Sequence, residues 1–155
     1  MRDRQAGVVV FDFAGFLTTG DVGAALGSSE AEVRGVVAAA GLTVMLQEID
    51  PGQGRFGIFG GGVEFLFDDS KLMCVQFETD RTGPLELAGS RVDADTGLEE
   101  FTEILDQSGI NWSVDRSSAG ELVVTTAGSV RCYFTAEEPY RFATAIAAIA
   151  SPTMD

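Results

Sequence analysis

The sequence predicts an α+β fold built from two pseudo-repeated helix-plus-antiparallel-meander units that share one core, followed by a C-terminal helix. Three observations predict it. Apolar residues recur at helical spacing in two stretches, each of which opens on a capping pattern and stops at a glycine. Each stretch is followed by short runs that alternate apolar and polar side chains, the period of a strand with one buried face. The halves also superpose: Val33, Val36, Val37 and Gly41 match Phe101, Ile104, Leu105 and Gly109 at an offset of 68 residues, and Val63 and Phe67 match Val130 and Phe134 at 67.

In chain order, residues 7–13 form a β-like run. Ser29 and Glu32 then stand at capping-box spacing, and the stripe of Val33, Val36 and Val37 predicts a helix over residues 29–40, ended by Gly41. Strands are expected at residues 42–49, 55–59, 63–67 and 72–78, with Asp68-Asp69-Ser70 as the last turn. The connection over residues 79–95 is too apolar at Leu85 and Leu87 for a flexible tether. The second half repeats the plan: Thr96 is read as a helix N-cap with Glu99 at capping-box spacing, and Phe101, Ile104 and Leu105 form the stripe. Strands follow at residues 110–114, 121–125 and 130–134. Pro139 then opens a helical pattern to residue 150, with Phe142, Ile146 and Ile149 at i, i+4 and i+7. Units of this size cannot bury a sheet alone, so residues 1–155 are read as one domain with halves 1–78 and 79–155.

Composition limits the chemistry. Among 155 residues, 24 are acidic, 10 basic and none is histidine, giving a net charge of −14; with 45% apolar and 22% charged residues the chain has enough hydrophobic material for a core. The acidity is divided −6 over residues 1–78 and −8 over 79–155, so no tail carries it. Without histidine, Ser-His-Asp and Cys-His nucleophile systems and histidine-ligated zinc are excluded in cis, and two cysteines cannot form a four-thiolate zinc site. The charged N-terminus lacks the long apolar stretch of a signal peptide, and unpaired thiols suit a reducing compartment, so a cytoplasmic protein is expected. The charge disfavours nucleic acid and anionic membranes and favours encounter with a basic protein.

Several motifs fit bland roles better than catalytic ones. Gly52, Gly54 and Gly57 spell the dinucleotide fingerprint, but the glycines and aromatics that follow cannot sustain the helix it needs, so a glycine-rich hairpin loop is expected and no cofactor. Asp95-Thr96-Gly97 has the aspartic protease triplet, yet it opens a helix instead of following an apolar strand. Asp68-Asp69, Glu99-Glu100 and Glu137-Glu138 are adjacent carboxylates with no converging ligand spacing, and no metal is expected. Cys132 alternates with Val130 and Phe134 and is placed in the core. Cys74 falls out of phase with Met73, Val75 and Phe77, so it points the other way and a disulfide between the two is disfavoured.

The candidate partner-binding residues are Asp68, Asp69, Leu66, Trp112 and Tyr133. Leu66 and Tyr133 are matched across the repeat on the face opposite the core, which predicts either a covering layer from the C-terminal helix or a recognition surface. Trp112 has the parity of a core residue, with a partner-facing anchor as the sharper option.

With Gly62-Val63-Glu64-Phe65-Leu66-Phe67-Asp68-Asp69 and the segment 98–112 in place, the layout resembles immunity-type proteins of bacterial polymorphic toxin systems. The resemblance covers most of the chain as layout and composition and carries no functional residues over. It implies a protein that neutralises a cognate toxin, often a basic nuclease, through an acidic surface. The tandem layout is also similar to secreted, disulfide-bonded β-lactamase inhibitory proteins. The expected function is therefore a non-catalytic acidic protein-binding module, an immunity or inhibitor protein acting on a toxin or enzyme as a monomer or weak homodimer. The alternative is a small-molecule binding or enzymatic domain with an apolar pocket between sheet and helices, fitted with an inward Glu48, Glu64 or Glu78.

Overall fold

The computed structural model describes residues 11–148. They comprise helices α1 (Phe13–Thr19), α2 (Glu30–Ala39), α3 (Thr79–Thr82) and α4 (Leu98–Gln107). The strands are β1 (Met45–Asp50), β2 (Arg55–Gly60), β3 (Val63–Asp68), β4 (Lys71–Glu78), β5 (Leu85–Leu87), β6 (Ser90–Val92), β7 (Trp112–Arg116), β8 (Leu122–Thr126), β9 (Arg131–Phe134) and β10 (Phe142–Ala148). Eight strands form one antiparallel sheet in the order β1-β2-β3-β4-β10-β9-β8-β7, and β5 pairs with β6 in a separate hairpin. The fold is α+β.

The helix α2 begins as its sequence dictates. The Ser29 hydroxyl accepts the Glu32 N–H at 3.2 Å and the Glu32 carboxylate accepts the Ser29 N–H at 2.8 Å, so two otherwise orphaned donors are satisfied reciprocally. Val33 and Val37 are fully buried under the sheet. Helix α4 buries Phe101, Ile104 and Leu105 as the stripe predicts, but its N-cap is Gly97, not Thr96. Thr96 is drawn away from the helix: its hydroxyl accepts the Asp93 N–H at 2.9 Å, and its carbonyl accepts the Phe142 N–H at 2.9 Å.

Two whole elements also differ from expectation. Of the β-like run at 7–13, residues 7–10 lie outside the described residues, and Phe13 opens α1 instead. Asp12 caps that helix by accepting the Gly15 N–H at 2.9 Å, and the spacing of Phe13, Phe16 and Leu17 turns all three into the core. The C-terminal helix is not formed: Phe142–Ala148 is β10, a central strand paired on both sides, with β4 and with β9. Ile149 and the rest of that stretch lie outside the described residues. The misreading has a physical cause. The stripe of Phe142 and Ile146 is not a shared face: with the register shift between Phe142 and Thr144, Phe142 and Ala145 enter the core and Ile146 turns to the opposite side. Alanine's helix propensity is overridden by two ladders of backbone hydrogen bonds. The same device operates in β4, where a shift opposite Leu66 and Phe67 places Leu72, Val75 and Phe77 in the core and leaves Met73 only half-buried.

The core is one cluster drawn from both halves and from the connection, including Leu85, Leu87 and Val92. Phenylalanines bind it together. The Phe77 ring lies 4.8 Å from Phe16 and 5.2 Å from Phe13, Phe13 reaches Phe142 at 6.1 Å, and Phe142 stacks on Phe101 at 4.9 Å. Each such pair contributes about 0.5–1.5 kcal/mol beyond the burial of its surface.

Candidate functional site

Because α1, α2 and α4 all bury their apolar stripes in this cluster, the alternation of the strands sends every second side chain to the opposite face. Three cross-strand rows cover that face. The middle row runs Phe59, Glu64, Gln76, Ile146, Arg131, Thr125 from β2 to β8. On one side of it lie Gly57, Leu66, Cys74 and Ala148, and on the other Glu78, Thr144, Tyr133 and Val123. Gly57 is needed there: a Cβ would stand 3.1 Å from the Phe59 ring and 3.3 Å from Leu66, so its absence lets those two side chains close over β2.

The face joins apolar surface to a carboxylate cluster. Gln76 donates to Glu78 at 2.8 Å, and the Arg81 guanidinium meets the other Glu78 oxygen at 3.0 Å. Burial raises the Glu64 carboxyl above its ordinary pKa, Glu78 raises it further, and Arg81 partly opposes them. Glu64 thus ionises against both solvent loss and a neighbouring negative charge, an electrostatic deficit that an incoming cation relieves. Burial, with Glu64 second, pushes the Cys74 thiol up to about 11. Cys132, fully buried on the core side, is also raised by burial. Both cysteines are free thiols and poor nucleophiles in this state.

Leu66 and Tyr133 share this face as the sequence pattern indicated, on strands three spacings (about 14 Å) apart and in opposite flanking rows. Asp68 lies on the same face of β3 at its end, 3.2 Å from the Arg55 guanidinium. Asp69 is exposed in the adjoining turn at φ +54°, its N–H donating to the Gln53 carbonyl at 3.0 Å. Trp112 is not part of the face. It packs against the core, opposite buried Thr126, and its indole N–H donates to Asp106 at 2.8 Å, tying β7 to α4. Glu64, Glu78, Gln76 and Ile146 complete the face but were not assigned to it from the sequence. For Gln76 the out-of-phase placement of Cys74 was the available signal, since the two lie on the same side of the regular part of β4.

Glu64 and Glu78 turn away from the helices, Glu48 lies on the exposed edge strand β1, and the layer between sheet and helices is filled by phenylalanines. Gly52, Gly54 and Gly57 lie in a 3₁₀ turn, at a hairpin corner with φ +65° and within β2, so no helix follows the last glycine. A groove of about 740 Å³ lies at the start of α4, between Glu99, Glu100, Glu138 and Tyr140. Among the described residues, no helix is long and apolar enough to cross a membrane, and no three Cys, Asp or Glu side chains cluster to hold a metal ion. The chain matches no known protein family, no characterised protein and no solved structure.

Proposed function

We propose that this protein is a non-catalytic binding module whose acidic sheet face meets a basic protein partner, with immunity or inhibitor function as its most concrete form. One observation carries the reading: the face opposite the helices combines half-buried Leu66, Ile146 and Tyr133 with the Glu64–Glu78 carboxylates, and none of the described helices packs its apolar stripe on it. Apolar contact supplies affinity at the centre of such a patch, and carboxylates select a cationic partner and speed its approach.

The pseudo-repeat belongs to this proposal. Supporting it, Thr144 opposes Glu78 while Ala148 opposes Cys74, so the β4–β10 ladder is symmetric about Gln76 and Ile146. The β3–β4 and β9–β10 register shifts fall in equivalent places, and the Leu72 N–H meets the Ser28 carbonyl as the Phe142 N–H meets that of Thr96. A duplicated half-sheet gives a broad face with Leu66 and Tyr133 at related positions on either side of an approximate two-fold axis.

The test is capture from the native host with tagged wild-type protein and with a Leu66→Glu, Tyr133→Glu variant. The reading expects a basic protein that is retained by the wild type, released by salt and lost with the variant. Equal capture by both, or no partner together with a small molecule retained after purification, contradicts it. The alternative small-molecule or enzymatic reading is favoured by the groove at the start of α4 alone, and that groove is open and lies outside the sheet–helix layer.

A further inference from the structure

Among the described residues, the two ends of the sheet are the edge strands β1 and β7. A strand edge carries a row of backbone donors and acceptors that only another extended chain can satisfy in full. The β1 edge stands out. All six of its residues are exposed, and it carries Met45, Leu46 and Ile49, three of the four large hydrophobic side chains exposed among the described residues. Its inner flank opens onto a cleft of about 200 Å³ floored by Leu46 and Phe56 and rimmed by Glu30, Glu48 and Arg55. Arg55 is held by Asp68 at 3.2 Å and Glu30 by Arg34 at 2.7 Å, whereas Glu48 has no ion-pair partner among the described residues.

We propose that β1 is a strand-addition site for an extended segment of a partner protein that alternates apolar and Lys or Arg side chains. The backbone ladder supplies the pairing. Met45 and Leu46 receive apolar side chains on the two faces, and one long cationic side chain lies in the cleft, its stem on Leu46 and Phe56 and its charge at Glu48. Charge decides against a second copy of this chain. The β1 sequence has no basic residue, so self-pairing would bring Glu48 and Asp50 of two strands together, on molecules each carrying −14. The proposal does not depend on the role of the sheet face.

The probe is a synthetic, end-blocked peptide of alternating Lys and Val as long as β1, compared with an isomeric-charge peptide interrupted by proline and with an alternating Glu and Val peptide. Amide hydrogen exchange of the full-length protein is the readout. The expected result is slowing of about tenfold or more at 45–50 with the Lys/Val peptide alone, none at 112–116, and at least about a fivefold weaker response in Glu48→Lys. Glu48 is exposed, and an unchanged circular dichroism spectrum checks that the variant is folded. Equal binding of the proline-interrupted peptide overturns the proposal by reducing it to non-specific charge attraction. Protection, already in the free protein, of the β1 amides that point away from β2 also overturns it, because the edge is then occupied by another segment of the chain or, if light scattering reports a dimer, by a second copy.

Discussion

Phe65 and Leu66 are neighbours on β3, yet they belong to two different materials. Phe65 enters a layer of interlocked phenylalanines and is fully buried, while Leu66 lies half-buried on a face shared with Glu64, Cys74 and Gln76. The same sheet thus has one side whose composition is fixed by packing and one side whose composition packing does not explain. Ile146 lies in its middle row, with Leu66 and Tyr133 in the rows on either side. The contrast separates residues that the core requires from those that are free to serve the proposed partner contact.

Substitutions on the two faces should therefore separate stability from binding. The largest effect is expected from Phe77→Ala, which removes the ring that Phe11, Phe13 and Phe16 all pack against. It should cost about 3–5 kcal/mol in denaturant unfolding. Next, Trp112→Phe deletes the hydrogen bond to Asp106 and should cost about 1 kcal/mol, a structural effect with no loss of partner capture. If capture falls while the fold holds, Trp112 belongs to the interface after all.

Asp93 tests the connection between the halves. Its carboxylate accepts the Asp95 N–H at 2.9 Å, and that bond, with Arg91 and Thr96, holds its pKa below the ordinary value in spite of some burial. A depressed carboxyl stabilises the fold at pH values above its unfolded pKa, and the contribution is lost as pH falls through the folded value. Asp93→Asn should accordingly lose about 1 kcal/mol at neutral pH, with the gap to wild type closing in strong acid. A pH-independent gap would place its origin elsewhere.

The smallest effect is expected on the outer face. Glu64 has a raised pKa, so its ionisation opposes folding, and the wild type loses stability as pH rises from the ordinary carboxyl value of 4.5 through the raised one. Glu64→Gln should match the wild type near pH 4 and be equal or up to about 0.5 kcal/mol more stable at neutral pH, while weakening capture of a basic partner. A destabilised variant at neutral pH would mean that Glu64 is a structural residue.

The sequence made the helices α2 and α4 and the strands β2, β3, β8 and β9 legible because each expresses one period without interruption. It failed at α1, where Phe13 follows an aliphatic run and the helix is announced only by Asp12. It failed again at β10, because Phe142 and Ile146 stand at helical spacing although the bulge puts them on opposite faces, and the alanines between leave no strand pattern to correct it. Leu66 and Tyr133 were readable as outward-facing because their strands are regular. Gln76 could be read from its parity with Cys74, but Ile146 could not, since it was assigned to a helix that does not form.

A partner that docks as proposed covers the outer face and not the helical side. Hydrogen exchange of the captured complex against the free protein tests it most directly. Slowed exchange at residues 64–66, 74–78, 131–133 and 144–146, with the α2 and α4 amides unchanged, is the result predicted. Protection confined to the helices or to the groove at the start of α4 would contradict it.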